Sequence, residues 1–216
     1  MKEVPALTET QVDSSLYTKA EYCLPGRFTA YAYQIREILN SGANKVLEIG
    51  PGNGVVTYVL RQSGIHVDTL DFDSTLKPDF VASVLDMPFP PNSYDAVICC
   101  QVLEHLPWDS FYKAMLGIST ISRTKIVLSL PHVSKRYFVE FKLPMLTQRL
   151  WEIDIPVKNI PMKFNGEHYW EIGRGVTEEE ILSTIKRCNL IVDSSFRVPE
   201  FRIHHFFCLS PSNPSR

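Results

Sequence analysis

The sequence predicts an α/β domain: a mainly parallel β-sheet with helices on both faces. Three observations carry this. Between Lys45 and Leu130, short β-branched apolar runs alternate with stretches whose apolar positions recur at helical spacing, which is how strands joined by crossover helices read. The runs are continuously apolar, as strands buried on both faces are. Directly after the first run come Gly50, Gly52 and Gly54. Alternate glycines let a strand turn tightly into a helix while the backbone stays close to a ligand.

The elements follow in order. Residues 1–27 read as an N-terminal arm, with Tyr17, Tyr22 and Pro25-Gly26 placed to pack over the domain or a cofactor. Phe28, Tyr31, Ile35, Ile38 and Leu39 fall at helical spacing, and Gly42 suits the C-terminal stop. Lys45–Ile49 is the first strand and Val55–Gln62 the helix after it. His66–Leu70 is the second strand, ending at Asp71, and Phe80–Val84 a short third. Asp95–Cys100 is the fourth. Ser110–Ile121 sets Phe111, Met115 and Ile118 on one helix face, and Lys125–Leu130 is the fifth strand. From 133 to 175 aromatics, prolines and mixed charge show no period. The segment is too long for a plain connection, so an inserted lid or substrate element is expected. Thr177 with Glu180 three residues later forms a capping box before a helix that buries Ile181, Leu182 and Ile185. Ile191–Val198 and His204–Leu209 are the last two strands.

Composition narrows the function. The 216 residues suit one domain spanning 1–216, and 44% hydrophobic content argues against disorder. Net charge is −2, and no basic run exceeds two residues, as at Lys135-Arg136 and Lys186-Arg187. A nucleic-acid partner is therefore not expected. Five cysteines, an odd number without a C-x-x-C pair, indicate reduced thiols and a cytoplasmic setting. Met1 to Gln11 lacks the apolar core of a signal peptide, and no apolar stretch approaches the roughly 20 residues of a membrane span. Nothing in the sequence fixes an oligomeric state.

Val46-Leu47-Glu48-Ile49-Gly50-Pro51-Gly52-Asn53-Gly54 differs from a dinucleotide fingerprint in two ways. The third glycine comes one residue early, and no basic residue stands in the loop to face a pyrophosphate. Downstream come Leu85-Asp86-Met87-Pro88-Phe89, Tyr94-Asp95-Ala96-Val97 and Val102-Leu103-Glu104-His105-Leu106. In order and spacing, residues 43–131 resemble the small-molecule class I methyltransferases that use S-adenosylmethionine, and the glycine run resembles their motif I. The resemblance implies a Rossmann-like, seven-stranded sheet, mainly parallel with an antiparallel last strand, here carrying an inserted cap. It also implies roles. Glu48 would help hold the methionine amino group, with Gly50, Gly52 and Gly54 letting the loop approach it. Asp71 would take both ribose hydroxyls, with Phe72 beside it and Asp73 as the alternative acid. Asp86 would take the adenine amino group and the Met87 backbone would face the ring. Gln101 completes the expected cofactor set.

The acceptor side is less defined. His105, His132 and His168 are the candidate bases, and Glu104, Tyr169 and Trp170 candidate substrate contacts. Gly166-Glu167-His168-Tyr169-Trp170-Glu171 offers a wall of acids and aromatics. Phe138, Phe141, Leu143 and Leu146 suggest an amphipathic flank. Some quinone-type O-methyltransferases resembling this region carry E-x-x-E-H and hold a divalent metal with it. Here Gln101 takes the first position, so no metal is expected. No N-P-P-Y or D-P-P-Y run follows the fourth strand, which favours a small-molecule or sugar-containing acceptor, with oxygen slightly ahead of nitrogen. A catalytically silent domain of this type and an NAD-dependent oxidoreductase remain the alternatives.

Overall fold

The computed structural model describes residues 14–141, 149–155, 159–198, 201 and 203–212. Two short 3-10 turns, Ser14–Thr18 and Ala20–Tyr22, lead into α1, Pro25–Ser41. Proline opens this helix, where its missing N–H costs nothing, and Gly42 ends it in the left-handed region at φ 71°. The helix buries Ala30, Gln34 and Ile38, whereas Phe28 and Leu39 are nearly half exposed. The buried face is thus rotated from the one the apolar spacing predicts, because small and polar residues suit the close packing against the sheet.

β1 (Lys45–Ile49) leads through the glycine loop into α2 (Val55–Gln62). β2 (His66–Asp71) and β4 (Tyr94–Cys100) pair with β1 on either side, all parallel. β3 is only Phe80–Val81, shorter than predicted; Ala82 to Val84 leave the sheet and line a cleft instead. α3 (Phe111–Ile121) and β5 (Ser122–Pro131) follow.

Among the described residues, the segment 133–176 carries two small sheets. β6 (Lys135–Phe141) and β7 (Arg149–Ile155) pair antiparallel; β8 (Glu171–Ile172) and β9 (Gly175–Val176) pair parallel. The β6–β7 pair was not predicted, since its mixed charges hide the alternation. Of the suggested flank, Phe138 and Phe141 fall in β6, while Leu143 and Leu146 lie outside the described residues, as does Met1 to Gln11. α4 (Glu178–Arg187) starts with the predicted capping box, Thr177 Oγ1 accepting from the Glu180 N–H while the Glu180 carboxylate accepts from the Thr177 N–H. β10 (Leu190–Arg197) and β11 (His204–Pro211) complete the chain.

The seven-stranded order is β10-β11-β5-β4-β1-β2-β3. β11 runs antiparallel to both β5 and β10, so the last strand is the reversed one and lies inside the sheet. Side chains alternate between two cores. Leu47, Leu128 and Phe207 meet α3 and α4 through Met115, Ile118, Ile181 and Ile185. Val46, Ile98, Val127 and Phe206 meet α1 and α2 through Ile38, Val56 and Leu60. Among the described residues, no helix is long and apolar enough to cross a membrane.

Candidate functional site

β1, β2 and β4 run parallel, so their carboxyl ends open on one edge, where ligands bind in open α/β sheets. A cleft of about 1240 Å³, including its open mouth, lies there. Its floor is the turn after β1. Gly50 stands at φ 70°, and a Cβ on it would run into Val102 Cγ2. The turn therefore needs glycine twice over, for its dihedral and for its clearance. Gln101, at the end of β4, also has a positive φ, 56°. A non-glycine residue there is strained, as at many binding sites.

At the outer end stand Asp71, Phe72, Asp73 and Ala82 to Val84. Burial pushes the Asp71 carboxyl above its usual range, although the Asp73 N–H donates to Asp71 Oδ1 at 2.9 Å. Tyr17 and Tyr22 cover the middle, with Tyr17 Cε1 3.3 Å from where a Cβ on Gly52 would sit. The inner end holds Glu48, Arg27, Tyr31, Gln34 and His204. Glu48 is 4% exposed, and its carboxylate accepts from the Thr57 hydroxyl. Burial raises its pKa from 4.5 to about 7. The Arg27 guanidinium lies 3.8 Å above the Tyr22 ring and 5.4 Å from the Phe201 ring. Arg61, not Arg27, is the cation acting on Glu48, so Arg27 and Glu48 face one cleft without pairing.

Gln101, Val102, His105 and Leu106 form the remaining wall. His105 Nδ1 is 2.9 Å from the Glu167 carbonyl. A carbonyl can only accept, so Nδ1 carries the proton and Nε2 is the basic nitrogen. Burial lowers the His105 pKa to about 4, keeping the ring neutral at ordinary pH.

The other expected site residues lie elsewhere. Gly54 caps α2 and does not line the cleft. Asp86 is exposed and Met87 packs beneath α3, its Cε near Gly117; the backbone turn at 82–84 occupies the wall both were expected to form. Trp170, expected to meet substrate, is a core residue. It is 2% exposed, packs edge-on against Trp108 and Phe111, and donates to the Leu106 carbonyl at 2.9 Å. Tyr169 and His168 sit behind the cleft wall. The Tyr169 N–H donates to the Glu104 carbonyl, and His168 Nδ1 to Glu171 at 2.9 Å. Burial opposes charge on His168, but Glu171 and Glu104 outweigh it and raise its pKa. Glu104 is fully buried and, among the described residues, neither carboxylate oxygen has a hydrogen-bond partner. Burial lifts its pKa to about 7.

Glu104, His105 and His168 offer ligand atoms within 4.8 Å of one another, near enough to converge on a divalent cation. The sequence argument against a metal weighed Gln101 and left out His168, which arrives from the segment after β5. His132, expected to face the cleft, is instead on the far side with His205 and Glu178. The two histidine Nδ1 atoms are 2.8 Å apart and their planes differ by 20°, with centroids 5.1 Å apart. The centroid gap exceeds the nitrogen gap by about one ring diameter, so the nitrogens meet head-on. A shared proton fits that gap; a metal needing about 2.0–2.1 Å to each nitrogen does not.

Arg27, Gln34 and His204 are cleft residues the sequence reading missed. Arg27 follows the Pro25-Gly26 pair that was noted, but nothing local shows which way a helix-opening arginine turns.

Comparison with known proteins bears on the fold. Residues 47–123 match the family model described as a methyltransferase domain. The ubiquinone biosynthesis O-methyltransferase of Xylella fastidiosa strain M23 is 26% identical over 132 residues, 50% of this chain and 53% of that protein. The enzyme of that name from Xanthomonas campestris pv. campestris strain B100 is 27% identical over 161 residues, 63% and 59% of the two chains. The chain thus spans little more than half the length of the curated relatives it matches. Among solved structures, 1,6-didemethyltoxoflavin-N1-methyltransferase of Burkholderia thailandensis superposes with a TM-score of 0.58 at 14% identity, covering 85% of this chain and 77% of that one. Magnesium protoporphyrin IX methyltransferase of Synechocystis PCC 6803 gives 0.58 at 15% identity, covering 87% and 80%. Residues 47–123 thus resemble the methyltransferase domain, and by the strand order of its sheet the chain has the fold of these solved methyltransferases.

Proposed function

We propose that the protein transfers a methyl group from S-adenosylmethionine to an oxygen of a small-molecule acceptor. One observation carries this reading: an acid and a cation with no ion pair between them, Glu48 and Arg27, line the same cleft as Asp71. The cofactor is zwitterionic at one end and carries a ribose diol at the other. Its fit is supported by the glycine turn, in which Gly50 and Gly52 bring bare backbone with positive φ to the lining of the cleft.

When bound, the cofactor supplies an electrophilic methyl group on a sulfonium. Glu48 would hold the ammonium and Arg27 the carboxylate. Asp71, an acceptor with two oxygens, suits both ribose hydroxyls. Tyr17 and Tyr22 close over the turn and exclude water. The chain's main contribution is alignment. His105, neutral and on the wall between the Gly50 turn and the insertion, would take the acceptor's hydroxyl proton at Nε2. The names of the curated relatives favour oxygen over nitrogen as the acceptor atom. The insertion at 133–175 would act as the cap on the acceptor side.

Calorimetry with S-adenosylhomocysteine tests the cofactor site, with NAD as control and Asp71→Ala as the variant. Ligand at 100 times its dissociation constant should also stabilise the fold by about 2.7 kcal/mol. Binding lost in Asp71→Ala supports the reading and opens an acceptor screen. Binding of NAD in place of S-adenosylhomocysteine would replace it with an oxidoreductase.

A further inference from the structure

A second cluster lies away from the cleft, where β10, β11 and the segment after β5 meet the start of α4. Ser195 and Arg197 stand two residues apart on β10, and so on one face of it. His205, opposite Arg197 on β11, reaches the serine: its Nε2 is 2.7 Å from Ser195 Oγ. Its Nδ1 is 2.8 Å from His132 Nδ1. Only one proton fits between those two nitrogens. In the tautomer that puts it on His205, Nε2 accepts from the serine hydroxyl. Packing holds the parts. His205 is buried and stacks on Phe207 at 4.3 Å between centroids. The Arg197 guanidinium donates to the His132 carbonyl and the Ser134 hydroxyl, at 3.3 and 2.7 Å, and so fixes the turn that carries His132. Glu178 Oε1 lies 3.8 Å from His205 Nε2, where it can balance the charge on a protonated ring. Ser195 itself is exposed and open to a reagent. A hydroxyl, a base in contact with it and a third group that orients the base are the parts that activate a serine.

We propose that Ser195 is an activated nucleophile that takes up acyl or phosphonyl groups from activated esters, with His205 as its base. Ser195 Oγ attacks the carbonyl carbon or the phosphorus, and its proton passes to His205 Nε2. The bond to the leaving group then breaks, its electron pair departs with that group, and the group takes the proton from His205. The serine is left as an ester, and no oxidant or reductant enters. His132 is a positioning residue: it accepts the Nδ1 proton of His205 and so keeps Nε2 free to act. The site shares no residue with the cleft and stands independently of the methyl-transfer reading.

The test treats the full chain with a fluorophosphonate probe, which labels activated serines by loss of fluoride, and locates the label by peptide mass mapping. Ser195→Ala, His205→Gln and His132→Ala are run beside the wild type, with the fold of each checked by circular dichroism. The wild type should be labelled at Ser195, and Ser195→Ala should lose that label. The rate of labelling should fall by about 10²–10⁴-fold in His205→Gln, which removes the base. It should fall by at least about 10-fold in His132→Ala, which frees the ring to take the wrong tautomer. A wild type left unlabelled at Ser195 would overturn the proposal, as would equal rates in the wild type and His205→Gln, since the contact would then be structural alone. If His205→Gln does not fold, His132→Ala decides, and a rate equal to that of the wild type overturns the proposal.

Discussion

Replacing Glu48 by glutamine separates the stability of the fold from the function of the site. Glu48 is 4% exposed, and burial raises its pKa from 4.5 to about 7. Between these values the folded protein binds a proton that the unfolded chain has released. Stability therefore falls as pH rises through this window and levels off above about 7. The rise corresponds to about 3 kcal/mol, since each pKa unit is 1.36 kcal/mol. Glutamine cannot ionise, but its amide oxygen can still accept from the Thr57 hydroxyl. Glu48→Gln should thus lack this loss and gain up to about 3 kcal/mol on the wild type between pH 4.5 and 8. In a chain of this size that is roughly 6–12 °C in melting temperature. Glu104, with a similar raised pKa, contributes the same slope to both proteins and cancels in the difference. The assay is urea unfolding of both proteins at half-unit pH steps, without ligand. A difference curve flat from pH 4.5 to 8 would refute the reasoning, because it would mean Glu48 ionises as in water. S-Adenosylhomocysteine should reverse the order at pH 8, since the variant loses the negative partner of the ammonium.

Other outcomes follow from the same geometry. Gly50→Ala should cost about 1–3 kcal/mol from the left-handed dihedral and weaken cofactor binding through the contact with Val102, read by thermal unfolding and calorimetry. Trp170→Phe should cost about 1–3 kcal/mol by orphaning the Leu106 carbonyl while leaving cofactor affinity unchanged; a fully stable variant with impaired acceptor binding would return Trp170 to the site. His105→Ala should lower turnover by about 10²–10⁴-fold with cofactor affinity retained. The wild-type His105 ring should protonate only near pH 4, so an NMR titration midpoint near 6.5 would contradict its burial.

The sequence by itself determined the order of the elements, because their signals are local. Apolar period, the glycine turn and the Thr177 cap each act within a few residues, and β1, α2, β2, β4, α3, β5 and α4 lie close to where they are predicted. The same locality placed Glu48, Gly50, Gly52, Asp71, Phe72 and Gln101 at strand ends that open on one cleft. Tertiary structure alone decided the rest. Trp170 and His168 read alike in sequence, but packing sends one into the core and sets the other behind Glu104. His132 follows β5 at the expected edge, yet β11 offers it His205 as a partner and turns it away from the cleft. Arg27 and His204 are separated by most of the chain and meet only because β11 inserts between β5 and β10, bringing its first residue to the wall that α1 helps form. Such meetings depend on long-range packing, which no residue pattern within a strand or helix encodes.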